Sequence, residues 1–153
     1  MAARLRAKER NSDGKLRSFI IQKYIENPLL YQRRKFDLRH FMLVTCINGC
    51  FKAYWYEEGY VRTSSNEFSL RDCRDPMIHL TNDAVQKNNE SYGRYEKGNK
   101  LSYGELQKYM ETRLKYGRDC LVGEILPKMK KIAADAVRAT YSLLDDSRRM
   151  HNF

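Results

Sequence analysis

Hydrophobic and polar positions alternate in the first half of the chain and recur at helical spacing in the last third. Ser18–Tyr24 is a short β-branched and aromatic run ending near Asn27-Pro28, and is expected to be a strand stopped by the proline. Lys35–Ile47 alternates and runs into Asn48-Gly49, a dipeptide that suits a two-residue hairpin turn because both residues tolerate positive φ. Cys50–Tyr56 follows, then a turn at Glu57-Glu58-Gly59 and a strand over Tyr60–Thr63. Ser64–Gly98 has neither period; Pro76 and many Asn, Asp and Ser residues make it an irregular polar loop, and loops of that length tend to be functional or mobile. Ser102-x-x-Glu105 has the form of a capping box and predicts a helix to about Tyr116, stopped by Gly117. A second helix carries Ile125, Met129, Ile132, Ala136, Val137, Tyr141 and Leu144 at helical spacing, with Pro127 in its first turn. That stripe is expected to be core. The fold class predicted is α+β: an antiparallel β-meander, a long polar loop and two C-terminal helices.

The hairpin turn sets a register. Ile47 opposes Cys50 and Cys46 opposes Phe51, so one face collects His40, Met42, Val44, Cys46, Phe51, Ala53 and Trp55 and is expected to be buried. A three-residue second turn, with Gly59 in the left-handed region, pairs Arg62 with Tyr54 and keeps its guanidinium off Trp55. Lys35, Asp37, Arg39, Lys52 and Arg62 then share the other face. Two readings fit this set: a phosphate site with Asp37 orienting the cations, or a solvated sheet face laced with ion pairs.

Composition narrows the partners. With 153 residues, the chain is one domain or part of one; 42% hydrophobic and 31% charged residues suit a water-soluble protein. It has no apolar run long enough to span a bilayer and no secretory signal, so a cytosolic setting is expected. The net charge of +10 attracts polyanions: nucleic acid, acidic lipid, nucleotide phosphates or an acidic protein tail. Residues 1–17 hold six Lys/Arg against Glu9 and Asp13 and read as a solvated basic arm. A nucleic-acid module is set aside, since no recognition helix or aromatic-interleaved basic strand stands out. The 4 cysteines lack CxxC spacing and read as free, mostly buried thiols. There is no Walker loop or nucleophile elbow, and His79 in Ile78-His79-Leu80-Thr81-Asn82 reads as structural.

Gln22-Lys23-Tyr24-Ile25-Glu26-Asn27-Pro28-Leu29-Leu30 and Lys35-Phe36-Asp37-Leu38-Arg39 closely resemble successive motifs of the tubulin tyrosine ligase family. Tyr56–Arg62 resembles its next strand pair, and His79-Leu80-Thr81-Asn82 with Val85-Gln86-Lys87 resembles its most characteristic short motif. Tyr92-Gly93-Arg94-Tyr95-Glu96-Lys97-Gly98-Asn99 is more similar to the tyrosine ligase than to the glutamylases or glycylases. The resemblance runs from about Ser18 to the C-terminus.

What the resemblance implies is an ATP-grasp fold, of which residues 18–153 would be a central part truncated at both ends. The implied reaction activates a carboxylate with ATP as an acyl phosphate, which the amino group of a free amino acid then attacks. Tyrosine is the expected amino acid and the acidic C-terminal tail of tubulin the acceptor; glutamate or glycine addition, or a non-catalytic tubulin-binding remnant, are the alternatives. Carried over, Gln22, Lys23, Tyr24 and Ile25 would form the adenine edge. Lys35 and Asp37 would sit beside ribose and phosphates, with Thr81 and Asn82 lining the nucleotide site. Arg39 and Arg62 would be the catalytic cations. The family's magnesium-binding Asp and Glu-x-Asn motif have no counterpart in the expected position, so this chain alone is expected to be inactive. Partners implied are tubulin, ATP and a free amino acid, with neither nucleic acid nor membrane, in cytoplasm, cytoskeleton or cilium.

Overall fold

A computed structural model describes residues 12–15 and 20–144. Apart from residues 12–15, the basic arm lies outside the described residues. Two antiparallel sheets organise the rest. The larger has the order β1 (Leu30–Tyr31), β2 (Arg34–Arg39), β5 (Tyr60–Glu67), β6 (Lys100–Ser102). The smaller is the hairpin β3 (Met42–Ile47) and β4 (Cys50–Trp55). Two short helices, α1 (Pro76–His79) and α2 (Asp83–Gln86), interrupt the central loop. Helix α3 (Tyr103–Thr112) follows β6, and a π-helical turn over Cys120–Ile125 leads into α4 (Leu126–Leu144). This mixture of helix and antiparallel sheet is the expected α+β content.

Alternation separates the faces of the larger sheet. Leu38 opposes Val61, and Val61 opposes Leu101; this face packs on Leu106 and Met110 of α3 and on Leu121. Asp37 opposes Arg62, and Arg62 opposes Lys100, on the other face. The capping box forms as expected: the Ser102 hydroxyl accepts from Glu105 N at 3.2 Å, and the Glu105 carboxylate accepts from Ser102 N at 2.7 Å. Gln32 and Arg33 form the β1–β2 turn with φ of 48° and 65°, conformations that cost side-chain-bearing residues about 1 kcal/mol each. They are held by the Tyr109 hydroxyl, which accepts from Gln32 N at 2.9 Å, and by Arg33 O, which accepts from Phe68 N at 2.8 Å.

The meander does not form. Lys35–Ile47 is two strands in two sheets, broken at His40-Phe41, and β5 pairs with β2 rather than β4. His40 stacks on Trp55 at 3.6 Å between ring centres and lies 3.1 Å from the Tyr103 hydroxyl through Nδ1. The Tyr103 hydroxyl donates to Arg39 O at 3.2 Å. These contacts turn the chain out of β2. Arg62 therefore faces Asp37, not Tyr54, and Lys52 lies on the separate hairpin. Gly59 does not take the left-handed conformation; it is needed because a Cβ there would sit 2.5 Å from Arg39 O.

Other expectations are also corrected. Residues 20–25 form no strand, and Ile20 is 92% exposed; β-branched residues favour a pleated surface only where an edge receives them. Within the hairpin the Ile47↔Cys50 and Cys46↔Phe51 register is as expected. Its apolar face, however, is only half covered, with Val44, Phe51 and Trp55 partly buried and Met42 and Cys46 exposed. The stripe on α4 lies against this hairpin, Phe51 meeting Tyr141 edge-on, but Ile132 and Tyr141 stay exposed because two strands cannot cover a 19-residue helix. Cys46, Cys50 and Cys73 are exposed; Cys120 alone of the four is buried. Helix α3 ends before Gly117, where Lys115 takes φ 61° and Tyr116 N donates to Met110 O at 3.0 Å.

Candidate functional site

Residues 64–98, expected as an irregular loop, are tied to the sheet by their own polar side chains. Ser64–Glu67 extend β5. Gln86 is fully buried; its carbonyl accepts from Ser65 N at 2.7 Å, and its amide donates to Leu80 O. Asn99 donates to Thr63 O at 3.2 Å and Ser65 Oγ at 2.9 Å, and accepts from Gly93 N at 2.8 Å. Arg34 is 2% exposed and makes a two-pronged ion pair with Glu96. The Tyr95 ring lies 4.4 Å from that guanidinium. With its ends fixed, the segment carries α1 and α2 across the polar face of the sheet.

Two linked groups form there. In the first, Arg62 Nε donates to Asp37 Oδ1 at 2.8 Å and Nη2 to Oδ2 at 2.5 Å, while the Thr81 hydroxyl donates to Oδ2 at 2.9 Å. The Asp37 hydrogen bond raises the Arg62 pKa above its ordinary value. In the second, Lys35 Nζ donates to the Tyr24 hydroxyl at 3.2 Å and to His79 O at 3.0 Å. Tyr24 lies 2.8 Å from His79 Nδ1. Beside them Asp83 accepts from the Tyr92 hydroxyl at 2.6 Å and pairs with Lys100 at 3.4 Å and Lys87 at 3.1 Å. The Tyr92 bond first, then Lys87, lowers the Asp83 carboxyl to about 2.

Tyr24, Lys35, Asp37, Arg62 and Thr81 are thus brought together. Gln22, Lys23 and Ile25 are exposed on the extended segment before β1. Arg39 is exposed at the end of β2, its guanidinium 5.5 Å from the Phe41 ring and outside the Asp37 network. Asn82 caps α2, its side chain accepting from Ala84 N at 3.1 Å. His79 and Lys100 complete the cluster although the pattern did not single them out for it. Lys100 needed the β5–β6 pairing to place it, and His79 needed the loop to fold back.

This face gathers cationic donors. It offers a lysine ammonium, a guanidinium already oriented by a carboxylate, and a second lysine one strand away. Among the described residues, no group of three or more His, Cys, Asp or Glu is gathered to hold a metal ion. No helix among them is long and apolar enough to cross a membrane.

Residues 5–153 match the Tubulin-tyrosine ligase family. The chain is 36% identical over 128 residues to a tubulin glycylase, 3B, of Tetrahymena thermophila, covering 82% of this chain and 10% of that protein. It is 38% identical over 129 residues to a protein monoglycylase of Homo sapiens, covering 78% of this chain and 14% of that protein. It is 34% identical over 105 residues to a probable tubulin polyglutamylase of Mus musculus, covering 69% of this chain and 22% of that protein. The chain therefore spans less than a quarter of the length of each of these relatives.

Proposed function

The chain belongs to the tubulin-tyrosine ligase family, and from that premise we propose that it forms the nucleotide-binding part of an ATP-dependent ligase that adds glycine or glutamate to tubulin. The observation that carries this reading is the Lys35–Asp37–Arg62–Thr81 face. The donor set fits a polyphosphate: Lys35 directs two of its three hydrogens at Tyr24 and His79, leaving one for a ligand. Arg62 spends Nε and Nη2 on Asp37, which fixes the plane of the guanidinium before a ligand arrives.

When bound, ATP supplies the phosphoryl group that activates a carboxylate for attack by an amine. Lys35 and Arg62 would offset the negative charge of the phosphates, and Asp37, itself bonded by the Thr81 hydroxyl, holds Arg62 in place. Arg39, exposed at the end of the strand that carries Lys35 and Asp37, is the cation this reading gives to the acidic acceptor, and the net charge of +10 favours an acidic tubulin tail over a neutral peptide. An ATP-grasp arrangement is consistent with the antiparallel sheet and its polar covering segment. The described residues by themselves do not fit a magnesium ion, since Asp37 is already bonded to Arg62 and Thr81.

Glycine or glutamate replaces tyrosine in this reading for two reasons. The relatives named above are glycylases and a polyglutamylase. The Tyr92–Asn99 segment, whose wording resembles the tyrosine ligase, is also occupied with its own fold: Tyr92 with Asp83, Glu96 with Arg34, and Asn99 with Thr63.

The test is calorimetric titration of the chain with ATP, beside a Lys35→Ala/Arg62→Ala double variant, followed by tubulin labelling, one radioactive amino acid at a time, with a ligase in which this chain is completed by a magnesium site. ATP binding weakened at least tenfold in the variant, with glycine or glutamate the amino acid incorporated, is the expected result. Incorporation of tyrosine alone would overturn the amino-acid assignment. A folded chain that binds no ATP would overturn the nucleotide reading, and retention on tail-bearing tubulin would then be the function to measure.

A further inference from the structure

Three side chains from separate segments meet at one end of the polar face. His79 Nε2 lies 2.9 Å from Asp72 O, and Nδ1 lies 2.8 Å from the Tyr24 hydroxyl. Lys35 Nζ donates to that hydroxyl at 3.2 Å and to His79 O at 3.0 Å. A carbonyl oxygen can only accept, so in the neutral ring Nε2 carries the proton and Nδ1 is left to accept from Tyr24 O–H. The Tyr24 oxygen then accepts from the Lys35 ammonium. Each bond sets the direction of the next.

Ring contacts hold the same arrangement. Lys35 Nζ is 4.8 Å from the centre of the Tyr24 ring, a cation over a π face. Tyr24 and Phe68 both meet the His79 ring edge-on, at 5.5 and 5.9 Å between centres.

We propose that His79, acting through the Tyr24 hydroxyl, is a positioning residue that aims the Lys35 ammonium at the phosphate oxygens of the nucleotide. This rests on the nucleotide reading above. A lysine side chain in water samples many rotamers, and an ammonium fixed before the ligand arrives loses less freedom on binding it. The role is distinct from packing because it depends on the polarity of each bond rather than on the volume of the ring. It also gives Tyr24 a task on the phosphate side, carried by its hydroxyl.

The test is the ATP dissociation constant of the chain, measured calorimetrically with circular dichroism as a folding control. The variants are Lys35→Ala, Tyr24→Phe, the two combined, His79→Gln and His79→Leu. Tyr24→Phe is expected to weaken ATP binding about tenfold, the usual scale for a hydrogen bond to a charged group, yet to add nothing in the Lys35→Ala background. His79→Gln, which keeps a donor and an acceptor, should stay near the wild-type constant, whereas His79→Leu should match Tyr24→Phe. A ¹⁵N imidazole spectrum should place the His79 proton on Nε2 and shift in Tyr24→Phe. If Lys35→Ala weakens binding while Tyr24→Phe and His79→Leu bind as wild type, the positioning role is wrong and the nucleotide reading stands. The positioning role is equally wrong if Tyr24→Phe costs as much without Lys35 as with it. Should Lys35→Ala itself bind ATP like the wild type, the nucleotide reading and this inference fall together.

Discussion

The larger sheet and the β3–β4 hairpin are built from similar alternating sequence, yet they end in different environments. Val61 and Leu106 are almost wholly buried, at 0% and 1% exposure, while Leu43 and Ile47 of the hairpin stay 61% and 70% exposed. The difference is coverage. The larger sheet receives α3 on one face and the α1–α2 segment on the other, and its buried polar groups find partners there. Among the described residues, the hairpin has α4 along one side and no second element over the other. The first region is therefore expected to carry most of the stability, and the second to open at lower free energy and to be free to meet other surfaces.

The largest effect should come from the buried ion pair that anchors the covering segment. Arg34→Ala leaves Glu96, whose side chain is 11% exposed, without its cation, and removing one partner of a buried pair costs about 3–5 kcal/mol. Urea denaturation should show that loss, and hydrogen exchange should speed over residues 86–99 before it changes in the hairpin. A loss below about 1 kcal/mol, as for a surface pair, would mean the segment is not anchored there.

Hydrophobic truncation sharpens the same contrast. Leu106→Ala should cost about 2–5 kcal/mol, the range for a large-to-small change in a packed core. Leu43→Ala on the hairpin should stay within about 0.5 kcal/mol, as surface changes usually do. Equal losses in paired denaturation curves would contradict the division of the molecule into a packed and a half-covered region.

The smallest effect concerns pH at the covering segment. Asp83 is lowered from 3.8 to about 2, chiefly by the Tyr92 hydroxyl. A carboxyl depressed in the folded state stabilises fully above its unfolded pKa, and that contribution is lost as pH falls from about 4 through about 2. In a carboxyl ¹³C titration, Tyr92→Phe should move the Asp83 midpoint upward, and acid unfolding should begin at higher pH. An unmoved midpoint would show that Lys87 and Lys100 suffice to hold the charge.

Much of the local structure could be read in the residues. The Asn48-Gly49 turn and its register, the Ser102–Glu105 capping box and Pro127 at the start of α4 all rest on contacts within a few residues, where backbone preference and short-range hydrogen bonds decide. Alternation also put Lys35 and Asp37 on one face of β2, but Arg62 had been placed there through a pairing with Tyr54 that does not form; the β2–β5 pairing brings it to Asp37 instead. The strand expected over Ser18–Tyr24 was not found among the residues described there, because propensity cannot supply a partner edge.

Residue order alone was enough for the Asn48-Gly49 turn, the helix starts, the basic balance and the membership of a ligase family. Long-range packing set the rest: that β2 pairs with β5, that the polar loop folds back over the sheet, and that His79 and Lys100 join Lys35 and Arg62. These depend on contacts between residues far apart in the chain, such as Arg34 with Glu96 and Tyr24 with His79. Period and propensity record which side of an element prefers water. They do not record which distant element will cover it.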